Sequence, residues 1–357
     1  MATTFARVND SDGLAGKATN IEINDLGFFS LTAVRTGSGN LKLINWRTGG
    51  TDGVARLADS SNQAGEVSEI ALTRGLAGTV TAVRTGSGNL KLIAWDDGLG
   101  QGPIQRLTDS SNQAGEATLI NIQPVDPIGG EADLVTAVRT GAGNLKLIAW
   151  EAKQGGPIKR LGDSGDQAGK VKLIALSMPQ RPPGINDAPF IALTAVRTAS
   201  GKLKLITWGI SPDGTRIDRL GDSGDRAGAV TEIAIAETMT AVRTASGNLK
   251  LINWQISPDG KTIQRVGEHE AGEATKIAIA RYSPSRYVAA VRAGNGRLKL
   301  IAYDVSSTGT ITRTGDSGNL AGAVSEIALA TPEHNNLVTA VRDGSRKLFV
   351  ISWKMVN

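Results

Sequence analysis

The stretch Thr32-Ala-Val-Arg-Thr-Gly-Ser-Gly-Asn-Leu-Lys-Leu-Ile-Asn-Trp46 decides how the chain is read, because close copies of it return six more times. The arginine of each copy stands at Arg35, Arg84, Arg139, Arg197, Arg243, Arg292 and Arg342, so the spacings run 49, 55, 58, 46, 49 and 50 residues. Eleven residues after each arginine comes an aromatic: Trp46, Trp95, Trp150, Trp208, Trp254, Tyr303 and Trp353, which accounts for all six tryptophans. A fixed core with elastic spacing is what a repeated supersecondary unit with variable loops produces.

Each unit reads as four short strands, expected in the second repeat over 66–72, 80–85, 90–95 and 103–108. The Gly-Ser-Gly-Asn between the second and third strands supplies positive-φ positions for a hairpin. Apolar residues occupy both parities, as at Leu41, Leu43 and Ile44, which predicts sheets covered on both faces. The first segment, Phe5-Ala-Arg-Val-Asn-Asp-Ser-Asp-Gly-Leu-Ala-Gly-Lys17, matches the second half of a repeat, Val54-Ala-Arg-Leu-Ala-Asp-Ser-Ser-Asn-Gln-Ala-Gly-Glu66, and that half is missing after Trp353. An N-terminal strand is therefore expected to complete the last sheet and leave no unpaired edge.

In these features the chain resembles the β-propeller superfamily. The resemblance implies an all-β fold of seven four-stranded antiparallel blades, closed into one domain over residues 1–357. The Gly-His and Trp-Asp pairs of WD40 repeats, the double glycine of kelch repeats and the aspartate-rich calcium loop of integrin-like blades are absent. Similarity to propeller lectins is one of architecture. An open solenoid is the competing architecture, but it needs distinct caps, whereas the two ends here are complementary halves.

Composition excludes several chemistries. Without cysteine there are no disulfides, thiolate nucleophiles or cysteine metal sites. The two histidines, His269 and His334, lie in different repeats, so no histidine site recurs in every unit, and neither a cofactor nor a metal is expected. The net charge is +5, but the 39 basic and 34 acidic residues are interleaved, which argues against nucleic acid as a partner. No apolar run reaches membrane-spanning length, so no membrane partner is expected. Both a cytoplasmic protein and a secreted one whose signal peptide has been removed fit the N-terminal sequence.

Loop lengths separate two rims. Links from strand two to three and from the outer strand to the next unit barely change, whereas those from strand one to two and from three to four vary, the longest spanning Ser177 to Pro189. Because strand direction alternates, the constant links share a regular rim and the others a variable rim. Phe28-Phe29, Pro179 to Phe190 and Tyr282 to Tyr287 on the variable rim are candidates for a protein partner.

On the regular rim a charge set recurs. A four-residue hairpin loop would set Arg35 opposite Lys42, two like charges that need an anion between them, and Asp59 stands at the same end of the outer strand. The set returns as Arg84/Lys91/Asp109, Arg139/Lys146/Asp163, Arg197/Lys204/Asp222 and Arg292/Lys299/Asp316. The fifth unit has Glu268 and a link two residues shorter, and in the seventh Phe349 replaces the lysine while Asp10 comes from the N-terminus. Either these residues neutralise one another and fix the rim, or they form up to seven shallow pockets for a polar ligand. The aromatic that ends strand three is expected to pack between blades rather than stack on a sugar. The run Asp59 to Glu66 lacks the pattern of a calcium loop.

One inner-strand position is alanine in five units (Ala71, Ala175, Ala234, Ala278, Ala328) but Glu22 and Asn121 in the others, which makes these two the channel candidates. No second carboxylate matches Glu22 at that position, so no residue is assigned a catalytic role. The leading expectation is a multivalent, lectin-like module that binds a glycan or another small polar ligand at repeated sites on the regular rim. An enzyme with one axial site, acting on a polysaccharide or small molecule, and a scaffold using the variable rim are the alternatives.

Overall fold

The computed structural model describes residues 3–13, 15–49, 53–75, 78–98, 102–125, 130–153, 155–180, 189–225, 227–318, 320–331 and 336–356. His334 and most of the Pro179 to Phe190 stretch lie outside the described residues. Among the described residues there is no α-helix, and the chain folds as an all-β repeat of propeller-like form.

The second repeat sets the pattern. Inner strand Val67–Gly75 is followed by Gly78–Thr85, Leu90–Asp96 and outer strand Gln105–Asp109, each antiparallel to the one before and close to the expected ranges. Five sheets have four strands each among the described residues, and a sixth has seven. The larger sheet joins repeats five and six, because the 21-residue strand Ile263–Ser283 is the outer strand of one and the inner strand of the other. Its midpoint is the link that is two residues short, which leaves the chain too little slack to turn out of the strand. The N-terminal strand Thr4–Asp10 pairs with Leu348–Val356 and completes the sheet of repeat seven, as the complementary ends require.

The hairpin corrects one expectation. Arg35 pairs with Leu41 and Val34 with Lys42, so Arg35 and Lys42 project from opposite faces of the sheet. The reason is the loop, which is one residue shorter than assumed. Thr36 N–H donates to Asn40 O at 2.9 Å and Gly39 N–H to Thr36 O at 3.0 Å, which leaves residues 37–39 as the turn. Gly39 takes φ +89, the left-handed residue that such a three-residue loop needs. The two constant links lie side by side on one rim, where Val67 N–H donates to Gly39 O and Leu41 N–H to Gly65 O.

The core lies between sheets. Leu31, Leu41 and Leu43 of repeat one pack against Ile70, Val83 and Trp95 of repeat two. From the other face of the same strands, Ile44 and Trp46 pack against Val338, Leu348 and Val350 of repeat seven. This two-sided burial is why apolar residues occur at both parities. Each tryptophan is buried as expected, and each indole N–H donates to a threonine on strand two, as Trp46 does to Thr32 at 2.9 Å. Repeat six has Tyr303 and Ala289 instead, and the buried Tyr303 hydroxyl finds no partner among the described residues.

Candidate functional site

The recurring charges divide into two devices, one on each face of the sheet. Arg35 Nε donates to Val67 O of the next repeat at 2.6 Å, and Arg84, Arg139, Arg243 and Arg292 make the same bond to Ala117, Val171, Ala274 and Val324. These arginines tie each repeat to the next inner strand. Arg197 departs from them: its Nε is buried without a hydrogen-bond partner among the described residues.

Lys42 faces the other way, with its Nζ 3.7 Å from Asp59, and Asp59 is gripped by Arg56 rather than Arg35. The pattern recurs with Lys91 and Arg106 on Asp109, Lys146 and Arg160 on Asp163, and Lys299 and Arg313 on Asp316. In repeat four Arg219 holds Asp222 while Lys204 Nζ lies 3.8 Å from Asp225. Repeat five uses Lys250 and Arg265 on Glu268, and in repeat seven Arg7 holds Asp10. Burial pushes the Asp59 carboxyl up, but the Ser61 N–H bond, Lys42 and Arg56 outweigh it and hold it below the usual range. Asp109, Asp222 and Asp316 are lowered for the corresponding reasons.

The outer-strand arginines escaped the sequence reading, although Arg-x-x-Asp is visible in six outer strands and Arg-x-x-Glu in the fifth. Positions three apart on a regular strand point to opposite faces. A bulge changes this: Trp46 pairs with Arg56 while Ile44 pairs with Asp59, so both outer-strand residues share the face of Lys42. The rest of the link is structural as well. Ser60 is buried, and its hydroxyl accepts from Leu43 N–H at 3.0 Å.

On the regular rim a glutamine straps three of the boundaries between consecutive repeats. Gln63 donates to Ile104 O and accepts from Arg106 N–H at 2.7 Å, while Arg106 Nη1 donates to Gln63 O at 3.0 Å. Gln113 makes the same bonds to Ile158 and Arg160, and Gln167 to Ile217 and Arg219. In the short link after repeat five Glu270, not a glutamine, precedes the Ala-Gly pair. At that boundary a cavity of about 310 Å³ opens, lined by Leu249, Glu273, Asn295, Lys299, Ile301 and Arg313 among others.

A second candidate lies among the inner strands. The inner strands neighbour one another in chain order, and that of repeat seven, Val324–Ala330, lies beside that of repeat one, Ala18–Asp25. Glu22 therefore meets carboxylates that no comparison at its own position shows, because Glu69 and Glu326 stand two residues earlier on the flanking strands. Glu22 is deep in the molecule yet still partly reached by solvent. Burial first, and then the charges of Glu69 and Glu326, push it up to about 8. Burial also raises both neighbours, while Asn20 and Arg84 pull Glu69 back and Arg342 and Lys276 pull Glu326 back. Asn121, the other channel candidate, donates to Ile174 O of the next inner strand at 3.2 Å. Among the described residues no group of three or more His, Cys, Asp or Glu is arranged to hold a metal ion.

On the variable rim Phe28 is 56% exposed, whereas Tyr287 is buried and Tyr282 partly so. Arg281 links the start of the long fourth-repeat loop to repeat five, bonding Gln180 Oε1 at 3.0 Å and lying 3.6 Å from Glu237.

No protein-family model matches the chain, and no curated protein matches it. Among solved structures it is similar to that of Saccharomyces cerevisiae Sqt1, with a TM-score of 0.53 and 11% identity over 99% of this chain and 98% of that one. It is also similar to the computationally designed Ika8 protein, with a TM-score of 0.51 and 16% identity over 94% of this chain and 83% of that one. At such identities the likeness is one of fold, and the fold it supports is a propeller-like all-β repeat.

Proposed function

We propose that the protein is a carbohydrate-binding module built on a closed seven-bladed β-propeller, with its ligand sites in the grooves between blades on the regular rim. The scaffold is supported by the apolar cluster that joins repeat one to repeat seven and by the N-terminal strand in the last sheet. The observation that carries the function is the cavity of about 310 Å³ between repeats five and six, where cationic, acidic and amide side chains converge over an aliphatic wall. A few placed polar groups over an apolar surface make a small-molecule site. The seven-site version of this reading is weakened by Gln63, Gln113 and Gln167, which must swing aside before their grooves admit a ligand. A panel of immobilised glycans tests the proposal. Retention of one defined glycan class, lost in the Lys299→Glu variant, is the expected outcome, and retention of none removes it.

Glu22 favours a second reading, an enzyme acting at the axis. A carboxyl whose folded pKa is about 8 keeps its proton at neutral pH and is poised as a general acid. Turnover on a polysaccharide or small-molecule panel that is abolished by Glu22→Gln supports this reading, and turnover that survives the substitution excludes it.

A further inference from the structure

Several departures from the repeat pattern meet at one boundary. The link after repeat five is two residues short and lacks the strapping glutamine, and the same shortening fuses two sheets through Ile263–Ser283. Repeat six replaces the tryptophan and threonine pair by Tyr303 and Ala289, and the His269 ring meets Tyr303 edge-on at 5.5 Å. The cavity opens at this same place.

We propose that the groove between repeats five and six is a one-ligand site for a small carboxylate-bearing sugar. This inference rests on the carbohydrate-binding reading and narrows it to one groove and one ligand class. Lys299 and Arg313, both on the wall of the cavity, share a single carboxylate, Asp316, and form its cationic side, across from the acidic Glu273. In other repeats the outer-strand arginine also donates Nη1 to a carbonyl of the preceding link: Arg106 to Gln63, Arg160 to Gln113, Arg219 to Gln167 and Arg7 to Leu320. Glu270 stands before Ala271-Gly272 in the shortened link, but among the described residues Arg313 makes no hydrogen bond to its carbonyl, so this edge of the guanidinium is left for a ligand carboxylate. Glu273 accepts, and Asn295 both donates and accepts, so the pair matches the hydroxyls of a sugar. Leu249 and Ile301 offer an aliphatic surface to its C–H face. The volume stands at the lower end of ligand pockets, roughly 300 Å³, which suits a monosaccharide rather than a chain held along its length.

Titration calorimetry of the full chain with glucuronic acid, galacturonic acid, glucose and acetate tests the assignment. The expected result is a uronic acid bound at a stoichiometry near one, with glucose and acetate each weaker by about tenfold or more, since a charge-assisted hydrogen bond is worth at least that factor. Binding should weaken as salt is added. Inserting Asn-Gln between Glu270 and Ala271 rebuilds the strap and should abolish binding. Lys299→Gln leaves the link untouched and should weaken binding about tenfold, so the test survives if the insertion fails to fold. A stoichiometry well above one, equal binding of glucose, or unchanged affinity in both variants overturns this inference while the carbohydrate-binding reading stands. Failure of every sugar here and on the glycan panel overturns both.

Discussion

At the scale of single residues, the side chains that matter are those whose neighbours belong to another repeat. Glu22 is one. Its folded pKa is raised, so between about 4.5 and about 8 the unfolded chain gives up a proton that the folded chain keeps. Stability therefore falls as pH rises through that window, by up to about 1.4 kcal/mol per pH unit, and levels off above it. Glu69 and Glu326 are raised too and act in the same direction. Urea unfolding at pH 5, 7 and 9 should show Glu22→Gln gaining on the wild type at each step, and parallel curves would refute the burial of this carboxyl. Tyr303 is another such residue. A buried hydroxyl without a partner costs free energy, so Tyr303→Phe should raise stability by about 1 kcal/mol, the opposite of the usual sign for a core substitution. A lowered melting temperature would show that the hydroxyl is satisfied. Neither residue's situation is legible in the sequence, since the position of Glu22 holds alanine or Asn121 in the other units and its carboxylate neighbours come from adjacent strands.

At the scale of elements, two local geometries decide which charges meet. The hairpin turns in three residues rather than four, which puts Arg35 and Lys42 on opposite faces. The outer-strand bulge puts Arg56 and Asp59 on one face. Both are one-residue effects, and in a structure of period two a shift of one residue moves a side chain to the other face. That is why the recurrence of Arg35, Lys42 and Asp59 could be read from the sequence but their grouping could not. The links are elements as well. Gln113→Ala removes two hydrogen bonds between repeats two and three, to Ile158 O and from Arg160 N–H. It should cost about 1 kcal/mol, with the Arg160 guanidinium bond to the main chain retained. Chemical denaturation checks this, and no change would mean that the strap is idle in solution.

At the scale of the whole molecule, the first strand matters most for its size. Thr4–Asp10 supplies the outer strand of the last sheet, and Phe5 buries its ring between repeats six and seven. Removing residues 1–10 should cost on the order of 3–5 kcal/mol from the aromatic alone and expose the edge of Leu348–Val356. Light scattering should then show association, because an unpaired strand edge is a template for another chain. A monomer of unchanged melting temperature would refute the role given to this strand. The sequence by itself determined the repeat, its strands, the complementary ends and the burial of the aromatics, because these follow from periodicity and apolar pattern along one chain. The tertiary structure alone decided which residues of different repeats face each other: the carboxylates around Glu22, the glutamine straps at three boundaries, and the cavity at a boundary without one. The physical reason is that side chains in a stacked sheet meet their partners across repeats, at offsets set by bulges and turns of one residue.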